Sequence, residues 1–80
     1  MEQYYVYALR SKVDGFLYIG LSKNPAERLQ QHNFGMTSST KRRRPFELIY
    51  TEACSDRKTA REREKKLKSG SGREFFKNIR

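Results

Sequence analysis

The chain has no tryptophan, one cysteine, one histidine and only nine acidic residues, and each scarcity closes off a kind of chemistry. With Cys54 alone, neither an intrachain disulfide nor a cysteine-rich zinc site can form. A reducing, cytoplasmic setting and no disulfide-linked partner are therefore expected. With His32 alone, a multi-histidine cage is excluded, and any metal site must rest on oxygen ligands, which favours magnesium or manganese over zinc. No stretch approaches the ~20 apolar residues of a membrane span, and Met1-Glu2-Gln3-Tyr4 lacks the basic-then-apolar order of a leader, so no membrane partner is expected. No repeat or linker interrupts the 80 residues, and 1–80 reads as one domain with its function on one surface.

Positive charge is what the chain has in excess. Eighteen Lys and Arg against nine Asp and Glu give a net charge of +9 and a pI of about 10.1. A polyanion is the natural partner, nucleic acid first. A ribosomal protein or a membrane-surface peptide carries similar charge, so composition narrows the partner without choosing an activity. Oligomeric state is not written in it.

Local signals give an α/β chain in the order β-β-α-β-α-α, a three-stranded antiparallel sheet flanked by helices. Residues 4–10 and 16–21 are rich in aromatic and β-branched types and flank Asp14-Gly15, a hairpin signal. Closing the loop at Arg10 and Gly15 sets Tyr7 opposite Tyr18 on one face, and Tyr5 opposite Gly20. Asn24-Pro25-Ala26-Glu27 reads as an N-cap, a first-turn proline and a capping-box glutamate opening a helix that ends near Asn33-Phe34-Gly35. Arg28 and His32 lie one turn apart on a shoulder of its thin apolar stripe.

Residues 36–44 predict a mobile polar loop ending in Lys41-Arg42-Arg43-Arg44, barred from helix by Pro45. A third strand spans 46–53, and Ser55 or Asp56 caps a helix to about Lys68. Ser71-Gly72-Arg73-Glu74 opens a last short helix whose Phe75, Phe76 and Ile79 are expected to pack on the sheet.

One carboxylate stands out. In the helix from Arg57 to Lys68, Ala60 and Leu67 define the buried stripe, and at 100° per residue Glu64 lies about 40° from Ala60 while Glu62 faces water. The plain role for Glu64 is an i,i+4 ion pair with Lys68. An inward acid in so basic a chain is also how a hard cation is held against a phosphate. Tyr4, Tyr5 and Tyr50 read as packing residues, whereas Tyr7 and Tyr18 are neighbours, and a phenol needs nearby positive charge to act as a base. Arg28, His32 and a metal can supply it.

These residues resemble the GIY-YIG nucleases. Tyr18-Ile19-Gly20 matches the second half of the family's signature, and Tyr5-Val6-Tyr7 is similar to the first with its glycine replaced. By the resemblance, Arg28 and His32 fall on the family's arginine and histidine, Glu64 on its metal-binding glutamate, and Asn78 on an asparagine that supports the metal or substrate. Residues 68–75 are similar to the tail of small stand-alone members. Where the repair-incision branch has a lysine after the glycine, this chain has Leu21, so phosphate contact there falls to Lys23 or to the run of Lys41, Arg42, Arg43 and Arg44.

The resemblance implies an endonuclease that uses one Mg²⁺ or Mn²⁺ ion on Glu64 and leaves a 5′ phosphate and a 3′ hydroxyl, with a role in DNA repair or recombination. Tyr7 would be the base, Tyr18 would place the water or share that role, Arg28 would neutralise the transition state, and His32 would hydrogen-bond Tyr7 or relay its proton. The site is expected on the sheet face that carries the tyrosines. Backbone-binding cations imply low sequence specificity. The rival reading is a non-catalytic nucleic-acid-binding module, and a structural ribosome-associated protein is a third.

Overall fold

In the computed structural model, which describes residues 3–77, the aromatic and β-branched segments form strands β1 (Tyr4–Ser11), β2 (Leu17–Ser22) and β3 (Phe46–Cys54). They pair antiparallel in the order β2-β1-β3, which makes β1 central and leaves β2 as an edge. Helices α1 (Pro25–Asn33), α2 (Arg57–Lys68) and α3 (Gly70–Lys77) complete the expected β-β-α-β-α-α order. Asn78 and Ile79 lie outside the described residues.

A central strand between helical layers must bury both faces, and Val6, Tyr7, Ala8 and Leu9 are all fully inaccessible. Val6 and Ala8, with Ile19 and Cys54, lie under Ala60 and Leu67 of α2 and Phe76 of α3. On the other face Tyr7 and Leu9 meet Phe46, Tyr18, Leu48 and Leu29 of α1. Each large apolar side chain buried this completely contributes about 1.5–3 kcal/mol.

The hairpin register differs from the expected one. Ser11 N donates to Phe16 O at 2.8 Å and Gly15 N to Ser11 O at 3.0 Å, so the loop is 12–15, not 11–14. Gly15 has φ +77°, a left-handed conformation suited to the end of a turn and foreign to a strand, and this is why it stays in the loop. Tyr7 therefore pairs with Gly20, Tyr18 with Leu9, and Tyr5 with Ser22. A slip of two residues preserves the faces, and the two tyrosines remain on one side as diagonal neighbours.

Two joints place the helices. Asn24 Oδ1 accepts from Glu27 N at 3.1 Å to start α1. At its end Met36 N reaches Gln31 O and Gly35 N reaches His32 O, with Gly35 at φ +76°, a Schellman closure. The Asn33 amide then bridges to the start of β3, donating to Phe46 O at 3.1 Å and accepting from Phe46 N at 2.6 Å. For α2, Asp56 is the cap, accepting from Thr59 N at 2.8 Å. Gly72 lies so close to Leu67 that a Cβ there would sit 1.6 Å from the Leu67 carbonyl oxygen, which folds α3 tightly back on α2. α3 begins at Gly70, one residue before the expected cap.

The 36–44 segment is folded and not a bare loop. A 3-10 turn spans Lys41–Arg43, and Thr40 is 1% exposed beneath it. Its hydroxyl donates to Thr37 O at 3.3 Å and meets His32 Nδ1 at 2.8 Å. A short polar run that looks solvent-bound is thus held by a buried histidine.

Candidate active site

At the edge of β2, a cleft of about 310 Å³ opens between the α1 and α2 sides of the sheet. Strand residues Tyr7, Tyr18, Gly20 and Leu21 form its floor, Arg28 of α1 one wall, and Arg57, Arg61, Glu64 and Lys68 of α2 the other. The site straddles the sheet edge and does not lie on the tyrosine face as expected, because Glu64 reaches it from the helix on the opposite face. Gly20 makes this possible. A Cβ at that position would sit 2.6 Å from the Tyr7 hydroxyl, so the missing side chain is the space the phenol occupies.

Four of the five central sequence candidates, Tyr7, Tyr18, Arg28 and Glu64, line this cleft together. The rings of Tyr7 and Tyr18 are 6.3 Å apart. His32 stands behind them, 2% exposed, its ring 4.5 Å from Tyr18 and its Nδ1 on Thr40, so the expected bond to Tyr7 is replaced by one to Thr40. Thr40 Oγ1 lies 2.8 Å from His32 Nδ1 and 3.3 Å from Thr37 O, so the direction in which that hydroxyl donates sets the tautomer of the ring. Burial, then the nearby Arg28 charge, hold the imidazole below its usual pKa and keep it neutral at pH 7.

The Tyr7 hydroxyl is the anomaly. It is buried and has no hydrogen-bond partner among the described residues. Burial pushes the phenol up from its ordinary value, while the Arg28 guanidinium opposes that shift without reaching good bonding geometry. Arg28 itself donates to Gln31 Oε1 at 3.0 Å. Buried polar groups are ordinarily satisfied, so an orphan phenol aimed into a cationic cleft marks a place where something polar is meant to sit.

Glu64 makes the ion pair its spacing allows, 3.1 Å to Lys68, with Arg61 at 3.8 Å. Arg61 and Lys68 are about half exposed. The Glu64 side chain is only 14% exposed, and it lines the cleft with both cations beside it.

Arg57, Arg61 and Lys68 were not among the sequence candidates. Their signal was present: 57, 61, 64 and 68 follow i, i+4, i+7, i+11 and fall within about 60° of one another on the helix. The basic residues that were named lie elsewhere. Lys23 sits over the Tyr4 ring at 5.5 Å, Arg43 pairs with Asp14 at 2.7 Å, the Arg44 guanidinium packs against Gly35, and Lys41 and Arg42 are exposed. None of Lys23, Lys41, Arg42, Arg43 and Arg44 lines the cleft.

Comparison with known proteins decides the family, because the model of the GIY-YIG catalytic domain matches residues 3–78. The chain belongs to the GIY-YIG family. Relatives include UPF0213 protein SSP2268 of Staphylococcus saprophyticus, 36% identical over 80 residues, and UPF0213 protein SH2523 of Staphylococcus haemolyticus, 38% identical over 80 residues. Each alignment covers 99% of this chain and 96% of the relative. The solution NMR structure of UPF0213 protein BH0048 from Bacillus halodurans is similar with TM-score 0.56 and 31% identity, over 92% of this chain and 81% of that one. GIY-YIG membership makes this a nuclease-family domain and points to nucleic acid as its partner. Among the described residues no helix is long and apolar enough to cross a membrane.

Proposed function

We propose that this GIY-YIG chain is a metal-dependent endonuclease that hydrolyses DNA phosphodiester bonds with low sequence specificity, leaving a 5′ phosphate and a 3′ hydroxyl. The observation that carries the reading is the orphan Tyr7 hydroxyl on the floor of a cleft that also holds Tyr18, Arg28 and Glu64. A role in DNA repair or recombination fits such an activity.

The donor set suits one hard cation. Among the described residues no three His, Cys, Asp or Glu cluster as a closed protein cage would require. Mg²⁺ and Mn²⁺ are held by one or two carboxylates and keep water and phosphate oxygens as their other ligands, so Glu64 beside two phenols is sufficient. When bound on Glu64, the ion supplies Lewis-acid polarisation of a phosphate oxygen and charge for the leaving group.

The chain's own residues do the rest. Tyr7, as phenolate, takes a proton from the attacking water; the water oxygen bonds to phosphorus, the bond to the 3′ oxygen breaks, and that oxygen takes a proton from solvent. Tyr18 places the water. Arg28 meets the charge that grows on the phosphate, and Arg57, Arg61 and Lys68 draw the strand into the cleft without reading its bases. His32 acts through Tyr18, whose ring it supports.

A second reading has its own observation: Glu64 is flanked by Arg61 and Lys68, as in a cleft built only to bind phosphate. Plasmid nicking with magnesium or manganese separates the two, comparing wild type with Glu64→Gln and Arg28→Ala. Wild-type nicking that both variants lose supports hydrolysis. Tight binding without nicking, or an active Glu64→Gln, supports the binding module.

A further inference from the structure

Along β2 the catalytic cleft runs into a second, larger one of about 550 Å³. The two share Tyr18 and Lys68 as lining residues and so adjoin along β2. Phe16 lies at its loop end, Leu17, Ile19 and Leu67 give apolar walls, and Lys68 and Arg73 are the cations lining it. Its size is that of a small-ligand site.

Phe16 is the unusual member. It is 39% exposed, yet its ring is held: the Arg43 guanidinium stacks at 4.1 Å, and Arg43 is fixed by the Asp14 ion pair at 2.7 Å. Its neighbour Ser11 further anchors the turn by donating its hydroxyl proton to Arg43 O. A pre-oriented, accessible aromatic ring with flanking cations is what a base-stacking platform needs, since every base has a π-face and every nucleotide a phosphate.

We propose that this second cleft is a nucleobase subsite, in which Phe16 stacks the base next to the phosphate held in the catalytic cleft while Lys68 and Arg73 take the adjoining backbone. The idea deepens the nuclease reading and rests on it for the position of that phosphate. A base still paired and stacked in a duplex cannot enter. The subsite therefore selects strands with an unpaired nucleotide beside the cut: a flap, bulge, gap or single strand.

The test uses the full chain carrying Glu64→Gln, so that binding is measured without cleavage. The probes are DNA and RNA oligonucleotides with 2-aminopurine at one unpaired position, and a fully paired duplex of the same sequence. Stacking on Phe16 quenches the fluorescence, and Phe16→Ala should remove the quench and weaken binding of the unpaired strand about ten-fold, leaving duplex binding unchanged. Phe16→Leu, which keeps apolar bulk without a π-face, should also lose the quench. Whichever of the two oligonucleotides is quenched identifies the sugar the cleft accepts. Unaltered quench and affinity in Phe16→Ala, or equal affinity for paired and unpaired strands in the parent, overturns the subsite. The two readings fail separately: nicking with a Phe16-independent quench removes only the subsite, and a Phe16-dependent quench without nicking removes only the hydrolysis.

Discussion

Gly20 lies opposite Tyr7 across the β1–β2 ladder, and the phenol fills the space where a side chain at 20 would stand. The glycine thus serves the tyrosine on the neighbouring strand. Gly20→Ala places a methyl 2.8 Å from Tyr7 Cζ, and a fully buried ring has little room to retreat. Overpacking of this kind costs about 1–3 kcal/mol. Misplacing the phenol should reduce nicking about 10²-fold. Urea unfolding and a nicking assay on the variant check both effects.

The two perturbed groups near the cleft each give a pH signature, one in stability and one in rate. His32 has a folded pKa below its ordinary 6.5, so it contributes stability that is present above that value and lost as pH falls through the folded pKa, because the unfolded chain binds the proton first. The urea midpoint should fall as pH drops below 6.5, and His32→Gln should flatten that dependence.

Tyr7 has a folded pKa raised above 10, and as a general base it acts only when deprotonated. The logarithm of the nicking rate should climb with unit slope across the neutral and mildly alkaline range. Tyr7→Phe should abolish the slope and cost about 10²–10⁴-fold in rate.

Thr40 is a positioning residue for His32. Thr40→Val removes the hydroxyl 2.8 Å from His32 Nδ1 and leaves a buried ring nitrogen unsatisfied, a loss of about 1–3 kcal/mol. Nitrogen-15 spectra of the imidazole should show one tautomer in wild type, a shifted tautomer in Thr40→Val, and recovery in Thr40→Ser. An unchanged tautomer in Thr40→Val would show that the hydroxyl does not set it.

The α2 cations predict a particular salt dependence. If Arg57 and Arg61 each neutralise one phosphate, Arg57→Ala and Arg61→Ala should each reduce the slope of log K against log salt by about 1, uniformly across DNA sequences. The same change at Arg43, already engaged by Asp14 and Phe16, should leave the duplex-binding slope nearly intact. Binding isotherms at several salt concentrations measure this.

Local chemistry revealed the elements, and non-local packing decided the rest. Asn24, Pro25 and Asp56 announce helix starts because capping is settled within one turn. The hairpin was legible but its register was not: whether Gly15 ends the loop or opens the strand depends on its φ, which the dipeptide Asp14-Gly15 does not specify. Glu64 could be found from the stripe of Ala60 and Leu67. Arg57, Arg61 and Lys68 share its face but look like any solvated charge until Tyr7 and Tyr18 are placed across from them. Thr40 was the hardest to see, since in a run of Thr and Ser nothing local distinguishes the hydroxyl that a histidine eight residues away will bury.

The proposed base sits on the one strand with sheet partners on both sides and no accessible surface between Val6 and Leu9. Withdrawing the ring from the cleft floor demands that the ladder itself come apart, so fraying at the chain ends leaves the phenol in place. Denaturant should therefore extinguish nicking and cooperative structure at a single midpoint.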